Sequence, residues 1–159
     1  MLNPHIFRAY DVRGLVGTAI TSAVFLQVGC AYGTLVRRKG GRRVAVGQDN
    51  RLSSAELKAA FVNGVRAAGV SVVDIGQVPT PMLYFATAHW KLDGGANITG
   101  SHNPVEYNGV KMVHAGALPL TEDEIQHLRK LAESGDFERG EGGLDRLSPR
   151  DDYFDTVSR

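Results

Sequence analysis

Val44-Ala45-Val46-Gly47-Gln48-Asp49-Asn50-Arg51-Leu52-Ser53-Ser54, continued through Ala55 to Ala68 and Gly69-Val70-Ser71-Val72-Val73-Asp74-Ile75, decides the fold. Val44 to Val46 is a short apolar run ended by a glycine, which predicts a buried strand. Gln48 to Ser53 is a polar loop. Ser53 or Ser54 can cap a helix running to about Ala68, with Leu57, Phe61 and Val65 on one stripe. Gly69 stops it, and Val70 to Ile75, rich in Val and Ile, predicts a second strand. Strand, helix and strand with short joins make a βαβ unit, whose strands pair in parallel with a right-handed crossover.

The pattern extends in both directions. Upstream, Val24, Phe25, Val28, Tyr32, Leu35 and Val36 recur at helical spacing and predict a helix from about Thr21 to Lys39. Arg37, Arg38 and Lys39 suit the negative end of its dipole, and Gly40-Gly41 closes it. The opening, Asn3 to Gly17, reads as extended chain and turns. Downstream, Pro79-Thr80-Pro81 leads into a short helix from Met82 to Trp90. Ala96 to Thr99 and Val110 to His114 predict a third and a fourth strand. Thr121 and Glu124 form a capping box for a helix to about Ser134. Gly135 to Ser148, with four glycines, reads as a loop or linker. The expected fold is therefore a three-layer α/β/α domain around a mostly parallel, mixed, four-stranded sheet. Residues 1–148 form the domain. Residues 149–159, where Tyr153, Phe154 and Val157 open a new amphipathic pattern, begin a linker or helix toward a missing second domain.

Composition excludes several function classes. The 18 Lys and Arg nearly balance the 17 Asp and Glu, leaving a formal net charge of +1, against a basic nucleic-acid binder. The single cysteine, Cys30, rules out an intrachain disulfide framework and reads as a buried thiol. His5, His89, His114 and His127 show no metal-ligand spacing. No leader and no apolar run of about 20 residues is present, so a cytoplasmic protein without a membrane partner is expected. There is no G-x-x-x-x-G-K-[ST] for ATP, and Gly100-Ser101-His102 does not supply the hydrolase G-x-S-x-G.

Thr99-Gly100-Ser101-His102-Asn103-Pro104, followed by Tyr107-Asn108-Gly109-Val110-Lys111, carries the chemistry. A serine hydroxyl, an imidazole and an ammonium suit phosphoryl transfer: one accepts the group, one moves a proton near neutral pH, and one offsets charge. The bland alternative is an Asx or Pro turn, with Asn108-Gly109 as a type I′ hairpin turn.

Five segments together carry a resemblance: Phe7 to Gly14 (FRAYDVRG), Val46 to Arg51 (VGQDNR), Pro79-Thr80-Pro81, Thr99 to Pro104 (TGSHNP), and Asn108 to Lys111 (NGVK). The chain resembles the N-terminal domain of the α-D-phosphohexomutases, most like the bacterial bifunctional phosphomannomutase/phosphoglucomutase branch. The resemblance implies that Ser101 is a phosphoserine. It implies exchange of phosphate between hexose 1- and 6-phosphates of mannose or glucose through a 1,6-bisphosphate. It further implies Mg²⁺, held by the Ser101 phosphate and by aspartates of a second domain, with glucose 1,6-bisphosphate or an equivalent as activator. Phosphoglucosamine mutase and a non-catalytic α/β binding domain are the alternatives.

By that resemblance His102 and Lys111 lie near the reacting hydroxyl, Arg13 is an active-site arginine, and Tyr10 lies close to the sugar. A phosphoserine carries roughly −1.5 to −2 charges and needs cations, for which Arg13 and Lys111 are the local choices. Backbone N–H groups from Gly100 to Asn103 add an expected anion nest. Arg8 and Asp11 are read as a salt bridge shaping the opening loop, and Asp49 and Arg51 as supporting residues that anchor their loop or brace Arg13 and the phosphoserine. The expected partners are hexose phosphates and the remaining domains of the polypeptide, and the 159 residues alone are expected to be inactive.

Overall fold

The computed structural model describes residues 2–158. It is a three-layer α/β/α domain around a mixed sheet. A 3-10 turn, Pro4–Ile6, leads into strand β1 (Val12–Leu15) and helix α1 (Ser22–Arg38). Strand β2 (Arg43–Gln48), helix α2 (Ser54–Ala67), strand β3 (Ser71–Gln77) and helix α3 (Thr80–His89) follow. Then come β4 (Gly94–Ile98), β5 (Tyr107–His114), a second 3-10 turn (Ala115–Ala117), α4 (Glu122–Ser134), β6 (Leu144–Arg146) and α5 (Arg150–Val157).

Among the described residues the sheet has six strands, in the order β1-β5-β4-β2-β3-β6, rather than the four expected. The pairs β2–β3, β2–β4 and β3–β6 are parallel, whereas β1–β5 and β4–β5 are antiparallel. Both extra strands lie at the edges, in segments expected to be irregular. β1 pairs with β5 (Arg13↔Gly109, Leu15↔Tyr107), and β6 emerges from the glycine-rich stretch onto β3 (Val73↔Asp145). Asn108-Gly109 is a second departure. It lies inside β5, because its backbone pairs with β1 and Asn108 is fully buried, so no hairpin turn forms there.

The helix ends follow local chemistry. Thr21 caps α1 through Val24 N–H, and Thr121 with Glu124 forms the full capping box of α4. The expected serine cap of α2 does not form. Ser53 sits at the N-cap position in helical backbone geometry without a side-chain cap bond, and Ser54 Oγ donates to Asp49 instead.

Two unequal cores flank the sheet. On one face α1, α2 and α4 cover Val44, Val46, Val72, Ala96, Ile98, Val110 and Met112. There α1 and α2 meet backbone to backbone, at Gly29 and Gly64, where a Cβ would overlap the other helix's main chain. On the other face α3 covers Ala45, Val73 and Ile75 with Val78, Met82, Leu83 and Ala86. Tyr153 of α5 packs edge-on against Phe85 at 5.4 Å. Strand alternation places Arg13, Gly109, Lys111 and Asn97 on this α3 face, opposite the buried Val12, Val110 and Ile98. α3 packs against β2 and β4, and the β1–β5 end of the same face is open.

Candidate active site

The parallel strands end at one edge of the sheet, where ligands of open α/β sheets bind. β4 leaves that edge at Ile98 and the chain turns through Gly100 to Asn103 before β5 returns at Tyr107. Ser101 is half-buried at the head of this turn with φ +52°, left-handed backbone that a residue with a Cβ occupies at a cost of about 1–3 kcal/mol. Such strain persists where the surroundings over-determine it.

Asp49, at the end of β2, supplies one side of that restraint. Its Oδ1 accepts from Arg51 N–H (3.0 Å) and from Ser54 Oγ, and its Oδ2 accepts from Gly100 N–H (3.0 Å) and Arg51 Nε (3.2 Å). Burial alone would raise this carboxyl. The hydrogen bonds from Ser54, from the Arg51 and Gly100 N–H groups and from Thr99 outweigh it and hold the group below its ordinary value. Arg51 supplies the other side, donating to backbone carbonyls along the turn. Gly100 lies against its guanidinium, where a Cβ would overlap Cζ and Nε. Asn103 Nδ2 closes the turn onto Gly100 O at 2.9 Å.

The expected anion nest is mostly spent. Gly100 N–H goes to Asp49, Ser101 N–H to Thr99 Oγ1 (2.9 Å) and Asn103 N–H to Gly100 O (3.0 Å). Among the described residues only the His102 N–H of the four has no protein acceptor, because the turn consumes the others in holding its own shape. His102 is exposed.

Arg13 and Lys111 meet elsewhere on the same face, in an open cleft of about 430 Å³. Its lining is Arg8, Ala9, Tyr10, Asp11, Arg13, Tyr84, Lys111, Met112 and Pro119. Three cations thus face one carboxylate. Asp11 is buried and pairs with Arg13 Nη2. The expected Arg8–Asp11 salt bridge is absent among the described residues. Arg8 Nε donates to His5 O (2.9 Å), because the 3-10 turn presents that carbonyl, and the shorter β1 spacing brings Arg13 to Asp11. Arg13 Nε is buried without an acceptor, and Lys111 has no carboxylate partner among the described residues. Tyr10 is 74% exposed at the rim. Burial, then the Asp11 charge, pushes the Tyr84 phenol up, so it stays a neutral hydroxyl. Ser101, His102, Asp49, Arg51 and Asn103 do not line this cleft. Ser101 leaves the strand adjacent to β5, which carries Lys111 and, through β1, positions Arg13.

Sequence reasoning gives no site role to Tyr84, nor to Thr99, Ser54 and Asn108, which enter it only as parts of motifs or as a cap. Asn108 Nδ2 donates to Ser53 Oγ (2.8 Å) and Ser54 Oγ (2.9 Å), joining β5 to the start of α2. Two adjacent serines where one suffices as a cap were the available signal. Cys30 is half-buried, and burial raises its thiol. Among the described residues no three His, Cys, Asp or Glu side chains come together to hold a metal ion. No described helix is long and apolar enough to cross a membrane.

Comparison with known proteins matches this architecture throughout. Residues 4–139 match the family model described as phosphoglucomutase/phosphomannomutase, alpha/beta/alpha domain I. A phosphomannomutase of Salmonella typhimurium is 42% identical over 154 residues, covering 94% of this chain and 33% of that protein. A probable phosphoglucosamine mutase of Thermococcus gammatolerans is 41% identical over 152 residues, covering 93% and 33%. A solved phosphoglucomutase/phosphomannomutase family protein of Burkholderia thailandensis superposes with a TM-score of 0.95 at 42% identity, covering 99% of this chain and 36% of that one. The chain therefore spans about a third of the length of the curated relatives it matches. On sequence, fold and the order of its motifs, it belongs to the phosphoglucomutase/phosphomannomutase family of α-D-phosphohexomutases, as that family's N-terminal domain I.

Proposed function

We propose that this chain is the catalytic-serine domain of a phosphohexomutase that interconverts hexose 1-phosphates and 6-phosphates, those of mannose and glucose. The observation that carries the reading is a serine hydroxyl on an over-determined turn at the carboxyl edge of the sheet. The adjacent strand carries Lys111 and, through β1, positions Arg13.

In the charged state the phosphoryl group resides on Ser101 Oγ. A hydroxyl of the bound hexose phosphate attacks phosphorus and the P–Oγ bond breaks, giving a bound hexose 1,6-bisphosphate. The attacking hydroxyl passes its proton to His102 or Lys111. After the sugar reverses, Ser101 Oγ attacks the other phosphate, the bond to the sugar oxygen breaks as that oxygen takes the proton back, and the phosphoserine is restored with the isomeric product free. Arg13 offsets the charge of the transferring oxygens, and Lys111 does so where His102 takes the proton. Arg13 suits this because its buried Nε–H lacks an acceptor, and an arriving anion would relieve that cost. Asp11 holds the guanidinium, and Tyr10 at the rim offers an aromatic face to the sugar. Asp49 and Asn103 brace the serine turn, and Arg8 lines the cleft with the other two cations.

Residues 1–148 would form this domain, and the helix after it would lead toward domains outside these 159 residues. An Mg²⁺ bound in the whole protein would take its remaining ligands there. A hexose 1,6-bisphosphate would recharge Ser101 when the phosphate is lost. The protein is proposed to be cytoplasmic. Glucosamine phosphates are the alternative substrate class, the one named for the Thermococcus relative of near-equal identity.

The test is Ser101→Ala in the full-length protein, assayed with mannose, glucose and glucosamine phosphates. Turnover is expected to fall to background with all three, and the isolated 159 residues are expected to be equally inactive. Retention of most mutase activity in the variant would remove Ser101 from this role.

A further inference from the structure

We infer that Arg51 is the positioning residue for Ser101: a guanidinium committed wholly to the protein, which seats the phosphoryl carrier without touching a phosphate. The inference rests on the reading of Ser101 as that carrier.

A guanidinium has five N–H donors. In Arg51 each has an acceptor. Nε donates to Asp49 Oδ2 (3.2 Å), Nη1 to Pro104 O (2.7 Å) and Tyr107 O (3.1 Å), and Nη2 to Ser101 O (3.1 Å) and Asn103 O (2.7 Å). The side chain is only 13% exposed. An arginine beside a phosphate site ordinarily spends its fork on phosphate oxygens. This one has no donor left to spend, so it is a cation of the site that does not bind substrate.

The pattern of acceptors says what it does instead. Four of the five are main-chain carbonyls between Ser101 and Tyr107, all turned inward onto one planar group. The same nitrogen, Nη2, holds the carbonyls on either side of His102, those of Ser101 and Asn103. The ring of acceptors fixes the edge of the guanidinium, and Gly100 packs against it. The direction of the Ser101 side chain follows from the backbone it leaves, and Arg51 holds that backbone in the left-handed conformation. Asp49 completes the arrangement, since its Oδ2 takes both Arg51 Nε and Gly100 N–H.

Lysine cannot substitute. Its ammonium has three donors in a tetrahedral arrangement and cannot serve five acceptors spread around a plane. The loss should therefore fall on phosphoryl transfer, which needs Oγ aligned, and not on substrate affinity.

The test compares wild type, Arg51→Lys, Arg51→Ala and Ser101→Ala in the full-length protein, with glucose 1-phosphate as substrate. In Arg51→Lys we expect kcat to fall by about 10²-fold, with KM within about twofold and the melting temperature held within a few degrees. Guanidinium ion at non-denaturing concentration is expected to restore turnover to Arg51→Ala and not to Ser101→Ala. Three results would overturn the inference: near-wild-type kcat in Arg51→Lys, a loss carried by KM, or a loss of kcat no larger than the loss of folded protein. If Ser101→Ala stays active, the carrier assignment fails and takes this inference with it. If Ser101→Ala is dead while Arg51→Lys turns over normally, only the role of Arg51 fails.

Discussion

Asp49 and Glu124 each stand near the start of a helix and each gather hydrogen bonds, but at opposite ends of the sheet. Asp49, before α2 at the carboxyl edge, is bonded by two backbone N–H groups, a buried hydroxyl and Arg51. Glu124, in the first turn of α4 at the other end, accepts from Lys39 Nζ (2.7 Å) and Thr121 N–H (2.9 Å), with His114 Nε2 at 2.6 Å. The Glu124 network joins α1, β5 and α4 largely through side chains that keep rotational freedom. The Asp49 network takes two main-chain N–H groups directly and four main-chain carbonyls through Arg51, and main-chain partners fix position as well as energy. The same functional group thus fastens helices at one end and sets the coordinates of a serine at the other.

Three substitutions would break or sharpen that contrast. Asp49→Ala should have the largest effect, about 3 kcal/mol, because it strips a charged, four-bonded acceptor from partners that cannot all reach water. Urea denaturation of the 159-residue chain would measure it, and mutase turnover in the full-length protein should vanish with it. Gly100→Ala should cost about 2 kcal/mol by driving a Cβ into the Arg51 guanidinium, and a thermal melt reads it. Glu124→Ala should cost least, about 1 kcal/mol, from the lost capping box and half-exposed ion pairs. Its kcat should match wild type, which is the sharpest separation between the two networks.

Acid should distinguish them too. Burial would raise Glu124, but Lys39, the Thr121 N–H and His114 outweigh it and lower the carboxyl from its ordinary 4.5 to about 2. A depressed carboxylate contributes stability above its unfolded value and loses it as pH falls toward the folded one. Wild-type stability should therefore decline between pH 4.5 and 2, and Glu124→Ala should show a shallower decline. Asp49 adds a loss of the same sign below its ordinary 3.8, which the Glu124 variant retains.

What could be read beforehand follows the same division. The β2–α2–β3 unit was legible because its signals are local: an apolar run, a helical stripe, a glycine stop. β1 and β6 were not, because Val-Arg-Gly-Leu and Leu-Asp-Arg have little strand character of their own. They become strands only by pairing with β5 and β3, far along the chain. Asn108-Gly109 has strong local turn chemistry, and the ladder to β1 overrode it. In the candidate site, residue type and spacing marked Asp49, Arg51, Ser101 and Lys111. They could not show that Arg51 turns inward onto four carbonyls, since carbonyl direction is a property of the folded backbone.

The two outermost strands also bear on how the sheet is edged. A sheet of this kind ends in rows of unpaired backbone groups that invite a second molecule to add a strand. Here the outermost strands have four and three residues, so each open row is short. Arg13 and Arg146 place charge on them, and Phe7 bridges across β1 at Val12. The long valine-rich strand β3 is kept one position inside, shielded by three residues from a stretch that reads as linker. A segment of little apolar content thereby takes the outer edge of the sheet in place of β3.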